Sequence, residues 1–164
     1  MKAELQKKLY EKYPKIFCQK DLPKTETCMC WGMECGEGWF WLLDNLCKAI
    51  QAYVDSQNEM VRIRNKDKGL TEEQMNTLMG QVEATQVKEK FGSLRFYING
   101  GDDNVYGMIA LAETMSWGIC ESCGSTKNII HTKGWISTLC ESCELQKTLV
   151  AEGWKAPEKS LTNG

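Results

Sequence analysis

The sequence has little histidine, no large excess of positive or negative charge, and no long apolar run. Its 164 residues include one histidine, and 20 Lys and Arg residues are nearly balanced by 22 Asp and Glu residues. The net charge of -2 excludes an overall positive field that would attract nucleic acid or an anionic membrane. No window of 18 apolar residues could span a bilayer, and the N-terminal residues lack the apolar core of a signal peptide. We therefore expect a cytoplasmic protein without membrane contact.

The sequence also lacks the short motifs of common enzyme classes. It contains no Gly-rich phosphate loop, no serine nucleophile elbow and no acidic cluster suited to a catalytic metal. Asp102 and Asp103 follow two glycines, and a helix N-cap explains them better than a catalytic pair does. These absences favour a protein that is not an enzyme.

Cysteine, by contrast, is abundant, with nine residues. An odd number in a chain without an export signal favours thiolate ligands over a disulfide framework. Sixteen residues separate two CxxC pairs, which consist of Cys120, Cys123, Cys140 and Cys143. This spacing allows four thiolates to surround one tetrahedral Zn²⁺. Because a complete cysteine set leaves no position for a reactive water, we expect structural Zn²⁺; a redox CxxC and unrelated buried thiols are the alternatives.

The residues between the two pairs predict a hairpin around Gly134, and Cys143 opens a predicted helix over residues 144–152. A turn, a hairpin and a helix in this order indicate a treble-clef or zinc-ribbon-like finger with four cysteine ligands over residues 118–152. His131 lies in this hairpin, where HNH nucleases place their general base. Sixteen residues are too few for the remaining HNH residues, and the chain has no second histidine. His131 is therefore interpreted as a surface or packing residue.

The rest of the chain predicts an α+β body over residues 1–117. We expect helices over residues 1–13, 39–65 and 102–117 and a short one from Thr71. A β-hairpin over residues 82–98, with a turn at Gly92-Ser93, is expected to pack under the two longer helices. Residues 153–164 are expected to form a mobile tail.

The predicted hairpin carries a basic and aromatic face. With a Gly92-Ser93 turn, Lys90 opposes Arg95 and Lys88 opposes Tyr97, and all four side chains share one face. Phe91 is assigned to the opposite, apolar face. This basic face could bind an anionic group, or it could be an ordinary solvated strand surface. Two adjacent cations would repel one another, so we expect a nearby carboxylate.

Three further features remain open. Trp41 lies on the polar side of the helix predicted over residues 39–65, and Trp135 lies in the finger; both are candidate ligand-binding residues. Residues 27–39 contain three cysteines, three glycines and two tryptophans. A second metal centre could use Cys28, Cys30 and Cys35 with Cys18 or Cys47. Buried thiols beside closely packed backbone are the favoured explanation, and a ligand pocket is the third.

Three segments carry a resemblance that spans most of the chain. They are CMCWGxxCGxGW at residues 28–39, VKEKFGxLRFY at residues 87–97, and CxxCG...GWxxTLCxxC at residues 120–143. Together they resemble a family of small zinc-finger proteins encoded by tailed phages and prophages. The resemblance implies a phage-type origin, a location in the host cytosol and a host factor as partner, including components of antiviral defence.

These observations predict a non-catalytic, zinc-binding accessory protein that binds a host factor or an anionic small ligand. The first alternative is a nucleic-acid-binding or transcription-regulating zinc-finger protein, since the finger is similar in spacing to that of the DksA/TraR group of RNA-polymerase regulators. The second alternative is a degenerate HNH-like nuclease. The sequence leaves the oligomeric state open.

Overall fold

The computed structural model describes residues 1–66, 68–75 and 78–153. The helices are α1 (Ala3–Lys12), α2 (Phe40–Arg64), α3 (Glu72–Met75), α4 (Asp103–Ser116) and α5 (Glu141–Ala151). The strands are β1 (Met33–Glu34), β2 (Glu83–Lys90), β3 (Ser93–Asn99), β4 (Ile129–His131) and β5 (Thr138–Cys140). The α+β prediction is confirmed. The predicted tail lies, apart from Gly153, outside the described residues.

A three-stranded sheet and three helices enclose the core of the body. The sheet has the order β1-β2-β3, with β1 parallel and β3 antiparallel to β2. Trp39 is fully buried, and the apolar stripe of α2 lies beneath it, as its spacing predicts. The largest buried side chains around them come from α1, the loops and the sheet: Leu9, Ile16, Phe17, Met29, Met33, Val82, Val87 and Leu94.

Helix α4 protects the free edge of β3. The amide of Leu94 donates to the hydroxyl of Ser116 at 2.9 Å, and the amide of Phe96 donates to Glu113 at 3.0 Å. Side chains of α4 therefore accept the hydrogen bonds that a fourth strand would otherwise take. The helix also fixes the position of β3 relative to the core.

The hairpin is present, but its predicted register is wrong. The turn consists of Phe91 and Gly92, whose φ angles are 54° and 79°, and not of Gly92 and Ser93. Two left-handed residues suit the twist of a two-residue hairpin turn. Lys88 therefore opposes Arg95, and Lys90 opposes Ser93. Because the pairing moves by two residues, most side chains keep their predicted face.

The turn position changes the environment of Phe91. This residue is not on the apolar face but at the hairpin tip, where its side chain is 66% exposed. The expected carboxylate near the cations is Glu113 of α4, whose Oε2 lies 3.8 Å from Nη1 of Arg95.

Two glycines in residues 27–39 allow the backbone of this segment to pack closely against the finger. The amide of Gly38 donates to the carbonyl of Glu121 at 2.7 Å, and the amide of Gly36 donates to the Glu121 carboxylate at 2.8 Å. A Cβ on Gly38 would lie 2.2 Å from the carbonyl oxygen of Cys120. The body and the finger thus meet backbone to backbone, and only glycine leaves room for this contact.

The substitution Gly38→Ala tests this contact. The new methyl group would collide with a backbone that cannot move freely, so we expect a loss of about 2 kcal/mol or more in the free energy of unfolding, measured by urea denaturation. Gly107→Ala is the matched control. Gly107 lies inside α4, where a methyl group would meet no neighbouring atom within 4 Å, and the change should stabilise the helix by about 1 kcal/mol. Equal effects of the two changes would contradict the close-contact interpretation.

Candidate metal centre

The four CxxC cysteines converge at one point. The Sγ atoms of Cys120, Cys123, Cys140 and Cys143 all lie within 4.8 Å of one another. The Sγ atoms of Cys123 and Cys140 are 3.7 Å apart, close to the roughly 3.8 Å edge of a tetrahedron with 2.3 Å metal–sulfur bonds. The cluster could hold one metal ion. Within the described parts of the chain, it is the only group of three or more Cys, His, Asp or Glu side chains with this geometry.

The first pair lies on a tight turn after α4. The amide of Gly124 donates to the carbonyl of Cys120 at 2.8 Å, and the amide of Cys120 donates to the carbonyl of Ser125 at 2.8 Å. Gly124 has a φ of 80°, which glycine adopts without strain. This turn over residues 120–125 is called the knuckle. It brings the two sulfurs to one side of the chain.

The second pair lies where β5 passes into α5. Cys140 ends the strand and is the N-cap residue of the helix, while Cys143 lies in the first helical turn. The partial positive charge at a helix N-terminus stabilises nearby thiolates. Pairing of Ile129 with Cys140 holds β5 against β4. The pairing of β4 with β5 therefore fixes the position of Cys140 and Cys143 relative to the knuckle.

The thiols differ in their electrostatic environment. A hydrogen bond with the hydroxyl of Ser142 at 3.2 Å lowers the pKa of Cys140 to about 6. Burial raises the pKa of Cys143 to about 12. The thiolate form of Cys140 is thus favoured near neutral pH, whereas burial disfavours ionisation of the Cys143 thiol. A soft divalent cation would favour ionisation of all four, with release of protons.

His131 is not part of the cluster but contacts the body. Its ring stacks on Trp117 with 4.1 Å between centroids, and its Nδ1 lies 3.1 Å from Oγ1 of Thr138. The Thr138 hydroxyl donates its only proton to the carbonyl of Gly92 at 2.5 Å. Nδ1 of His131 must therefore carry the proton that it donates to Thr138. The side chain serves packing and hydrogen bonding between the finger and the hairpin turn.

The remaining cysteines do not join a cluster of this kind among the residues that the structure describes. Cys35 is buried beside the body–finger contact, and burial raises the pKa of its thiol to about 12. Cys47 is buried in the α2 stripe, where burial also raises its thiol pKa. Cys30 donates to the carbonyl of Thr27 at 3.3 Å. The second centre at Cys28, Cys30 and Cys35 thus receives no geometric support.

The predicted basic face lies on one side of the hairpin and consists of Lys88, Lys90, Arg95 and Tyr97, while Val87, Leu94 and Phe96 lie in the core on the other side. Nζ of Lys88 lies 5.5 Å from the centroid of the Tyr97 ring. Nη1 of Arg95 donates to the hydroxyl of Ser93 at 2.5 Å and to the carbonyl of Leu94 at 2.7 Å. Arg95 is therefore held rigidly, while the two lysines are freer.

The two candidate tryptophans lie outside this face. Trp41 is 72% exposed at an apolar groove of about 370 Å³ between α2 and α4, beside Leu111 and Met115. Trp135 is 82% exposed in the loop between β4 and β5. Each thus belongs to a different part of the surface.

Sequence reasoning missed two aromatic residues next to the basic face. Phe91 and Trp117 line a cleft of about 600 Å³ together with Arg95 and Glu113. The Phe-Gly dipeptide could have signalled Phe91, because the glycine suits the second left-handed position of a hairpin turn. Trp117 carried no such signal, because it follows α4 and its exposure depends on how the finger packs.

The chain was compared with family models, curated proteins and solved structures, and none of them matches it. In the described ranges, no helix has both the length and the apolarity needed to cross a membrane.

Metal analysis of Cys140→Ser and Cys30→Ser tests the site. We expect one divalent ion per wild-type chain by elemental analysis of a monodisperse sample, and loss of most of it in Cys140→Ser because one of four ligands is removed. Cys30→Ser should retain the full amount, since this sulfur lies outside the cluster and donates a hydrogen bond to the carbonyl of Thr27. A wild-type protein with no metal would contradict the site. Two ions, one of which is lost in Cys30→Ser, would establish the second centre.

Proposed function

We propose that this is a non-catalytic zinc-binding protein that acts by binding an anionic ligand. The observation that carries the proposal is the complete cysteine set: four converging thiols match the preferred ligands and tetrahedral size of Zn²⁺ and leave no position for a metal-bound water. Zinc would then stabilise the fold and perform no hydrolysis. The order of knuckle, hairpin and helix further supports a treble-clef-like finger.

The structural role proposed for the metal follows from the contacts of the segments that carry the four cysteines. The knuckle residue Glu121 donates its amide to the carbonyl of Thr138 at 2.9 Å and accepts the amides of Gly36 and Gly38. Without a metal, only short strands and a few hydrogen bonds would hold the knuckle against β5. A finger of this size obtains most of its folding free energy from the metal.

Hydrogen exchange before and after chelation tests this role. Removal of zinc should release the amides of Glu121 and Glu141, which donate to Thr138 and Asn128 within the finger. The amide of Ala84, which donates to Ile16 in the body at 2.7 Å, should keep its protection and is the internal control. Readdition of Zn²⁺ should restore the pattern. Unchanged exchange in the finger after complete metal removal would contradict a structural role.

The basic face supports the ligand-binding part of the proposal. Arg95 uses Nη1 to bond to Ser93 and Leu94, and its Nε and Nη2 donors have no partner among the described residues. A guanidinium that is already fixed loses little conformational entropy when it binds an anion. Lys88 and Lys90 add two positive charges on the same side of the sheet.

Titration with inorganic tripolyphosphate tests the face with a probe that contains no aromatic ring. We expect the double variant Lys88→Glu, Lys90→Glu to weaken binding about tenfold or more, equivalent to about 1.4 kcal/mol, measured by calorimetry. Arg95 is left intact because its bonds to the hairpin support the fold. The double variant Lys7→Glu, Lys8→Glu changes the net charge equally on exposed positions of α1 and should bind like the wild type. Equal losses in both variants would indicate unspecific charge attraction.

A host factor is the second candidate ligand. The apolar groove with the exposed ring of Trp41 favours it, because contiguous apolar surface often marks a protein interface. The resemblance to phage-encoded proteins makes a component of host defence the natural candidate. A protein held at this groove would bind the Lys88, Lys90 variant normally and would not compete with tripolyphosphate.

A further inference from the structure

The hairpin tip places an exposed aromatic ring where the backbone disfavours one. Phe91 has a φ of 54°, and bulky side chains rarely adopt this left-handed conformation, which asparagine and glycine tolerate. Two thirds of the side chain is exposed, so packing does little to offset the strain. An unfavourable residue at an exposed tip favours a role in binding over a role in folding.

A second aromatic ring lies beside it in a fixed orientation. Trp117 is 43% exposed, and its stack on His131 limits rotation of the indole. Gly92 allows the turn to approach this ring, because a Cβ at Gly92 would lie 2.9 Å from Trp117 Cζ3. Phe91 and Trp117 thus line the same cleft of about 600 Å³, a volume typical of small-ligand sites.

The cleft places hydrogen-bond donors and a hydrogen-bond acceptor next to the two rings. Arg95 supplies the unpaired Nε and Nη2 donors described above. Glu113 accepts the amide of Phe96 through Oε1, and its Oε2 lies 3.8 Å from Arg95. A planar ligand whose edge both donates and accepts hydrogen bonds would match this pair. The edges of nucleobases have this property.

The cations continue from the cleft along the sheet. Nζ of Lys90 lies 5.4 Å from the Phe91 ring centroid, and Lys88 follows two residues away, about 7 Å along β2. Tyr97, beside Lys88, is the third exposed aromatic residue of this surface, after Phe91 and Trp117. Aromatic rings interleaved with cations along one face are the usual arrangement for binding single strands, where bases stack on rings and phosphates contact cations.

We propose that the anionic ligand is a single-stranded nucleic acid, with one unpaired base in the cleft of Phe91 and Trp117 and the backbone passing Lys90 and Lys88. This inference rests on the proposed anionic-ligand function and narrows it. A base in a duplex is paired and covered on both faces, so it cannot enter the cleft. Duplex nucleic acid could contact only the lysines.

The test is fluorescence anisotropy of the zinc-loaded full chain with labelled DNA and RNA strands of about 12 nucleotides. Phe91→Asn removes the ring and keeps a residue suited to the left-handed turn, so the hairpin should fold at least as well. We expect this variant to bind about tenfold more weakly. Trp31→Ala, which removes a 58% exposed ring outside the cleft, is the aromatic control and should bind normally.

The salt dependence separates the lysines from the ring. In the Lys88→Gln, Lys90→Gln variant, the slope of log K against log salt should fall by about 1.4, since each phosphate contact on a single strand contributes about 0.7. Phe91→Asn should leave the slope unchanged. A duplex of the same sequence should bind at least about tenfold more weakly than the strand, because it forgoes stacking. Thermal unfolding of each variant verifies that it is folded.

The outcomes distinguish this inference from the proposed function. If tripolyphosphate and the strand depend equally on the lysines and Phe91→Asn has no effect, anion binding stands and base stacking is wrong. If neither probe binds, both are wrong. A duplex that binds as tightly as the strand also overturns the inference. A mononucleotide that competes as well as the strand at equal phosphate concentration would identify a free nucleotide as the ligand instead.

Discussion

The contact between the knuckle and the backbone of Gly36 and Gly38 is the constraint on which the finger depends. Glu121 accepts an amide from each glycine, and the adjacent Trp39 donates from Nε1 to the carbonyl of Ile119 at 2.9 Å. Trp39 is fully buried in the core. The segment that leads into the first cysteine pair is therefore bonded directly to the largest core residue. Loss of the knuckle shape would disturb the finger and the contact that joins it to Gly36, Gly38 and Trp39.

The same constraint extends to the hairpin. Thr138 accepts the Glu121 amide through its carbonyl and donates to Gly92 through its hydroxyl. Within the hairpin itself, Glu89 of β2 accepts the Gly92 amide at 2.6 Å. The turn therefore has one bond inside the hairpin and one to Thr138, and the second leads through β5 to the cysteines. A metal bound there would hold Phe91 in place without touching the ligand.

Part of this arrangement could be predicted from local patterns, and part depends on contacts between distant segments. The α2 stripe and the CxxC spacing each follow from periodicity or chemistry within a short window. The turn was placed wrongly because a bulky residue at a left-handed position, as at Phe91, is locally unfavourable. Thr138, whose hydroxyl donates to the carbonyl of Gly92 and so stabilises the observed turn, belongs to a segment outside that window. Likewise, the sequence indicated the need for a carboxylate near Arg95, but only the packing of α4 shows that Glu113 is its source.

The ion pair with Glu113 limits the charge that Arg95 can add to the proposed ligand binding, although its Nε and Nη2 donors stay available. Lys88 and Lys90 are the cations of this face with no carboxylate partner among the described residues, on a protein whose net charge is -2. Long-range attraction is therefore weak and easily screened by salt. For the proposed anionic ligand, much of the affinity would then come from contacts that salt does not screen, and the rings of Phe91 and Trp117 could provide them. The strain at Phe91 supports the proposed stacking role, because packing does not account for an exposed aromatic ring at a left-handed position.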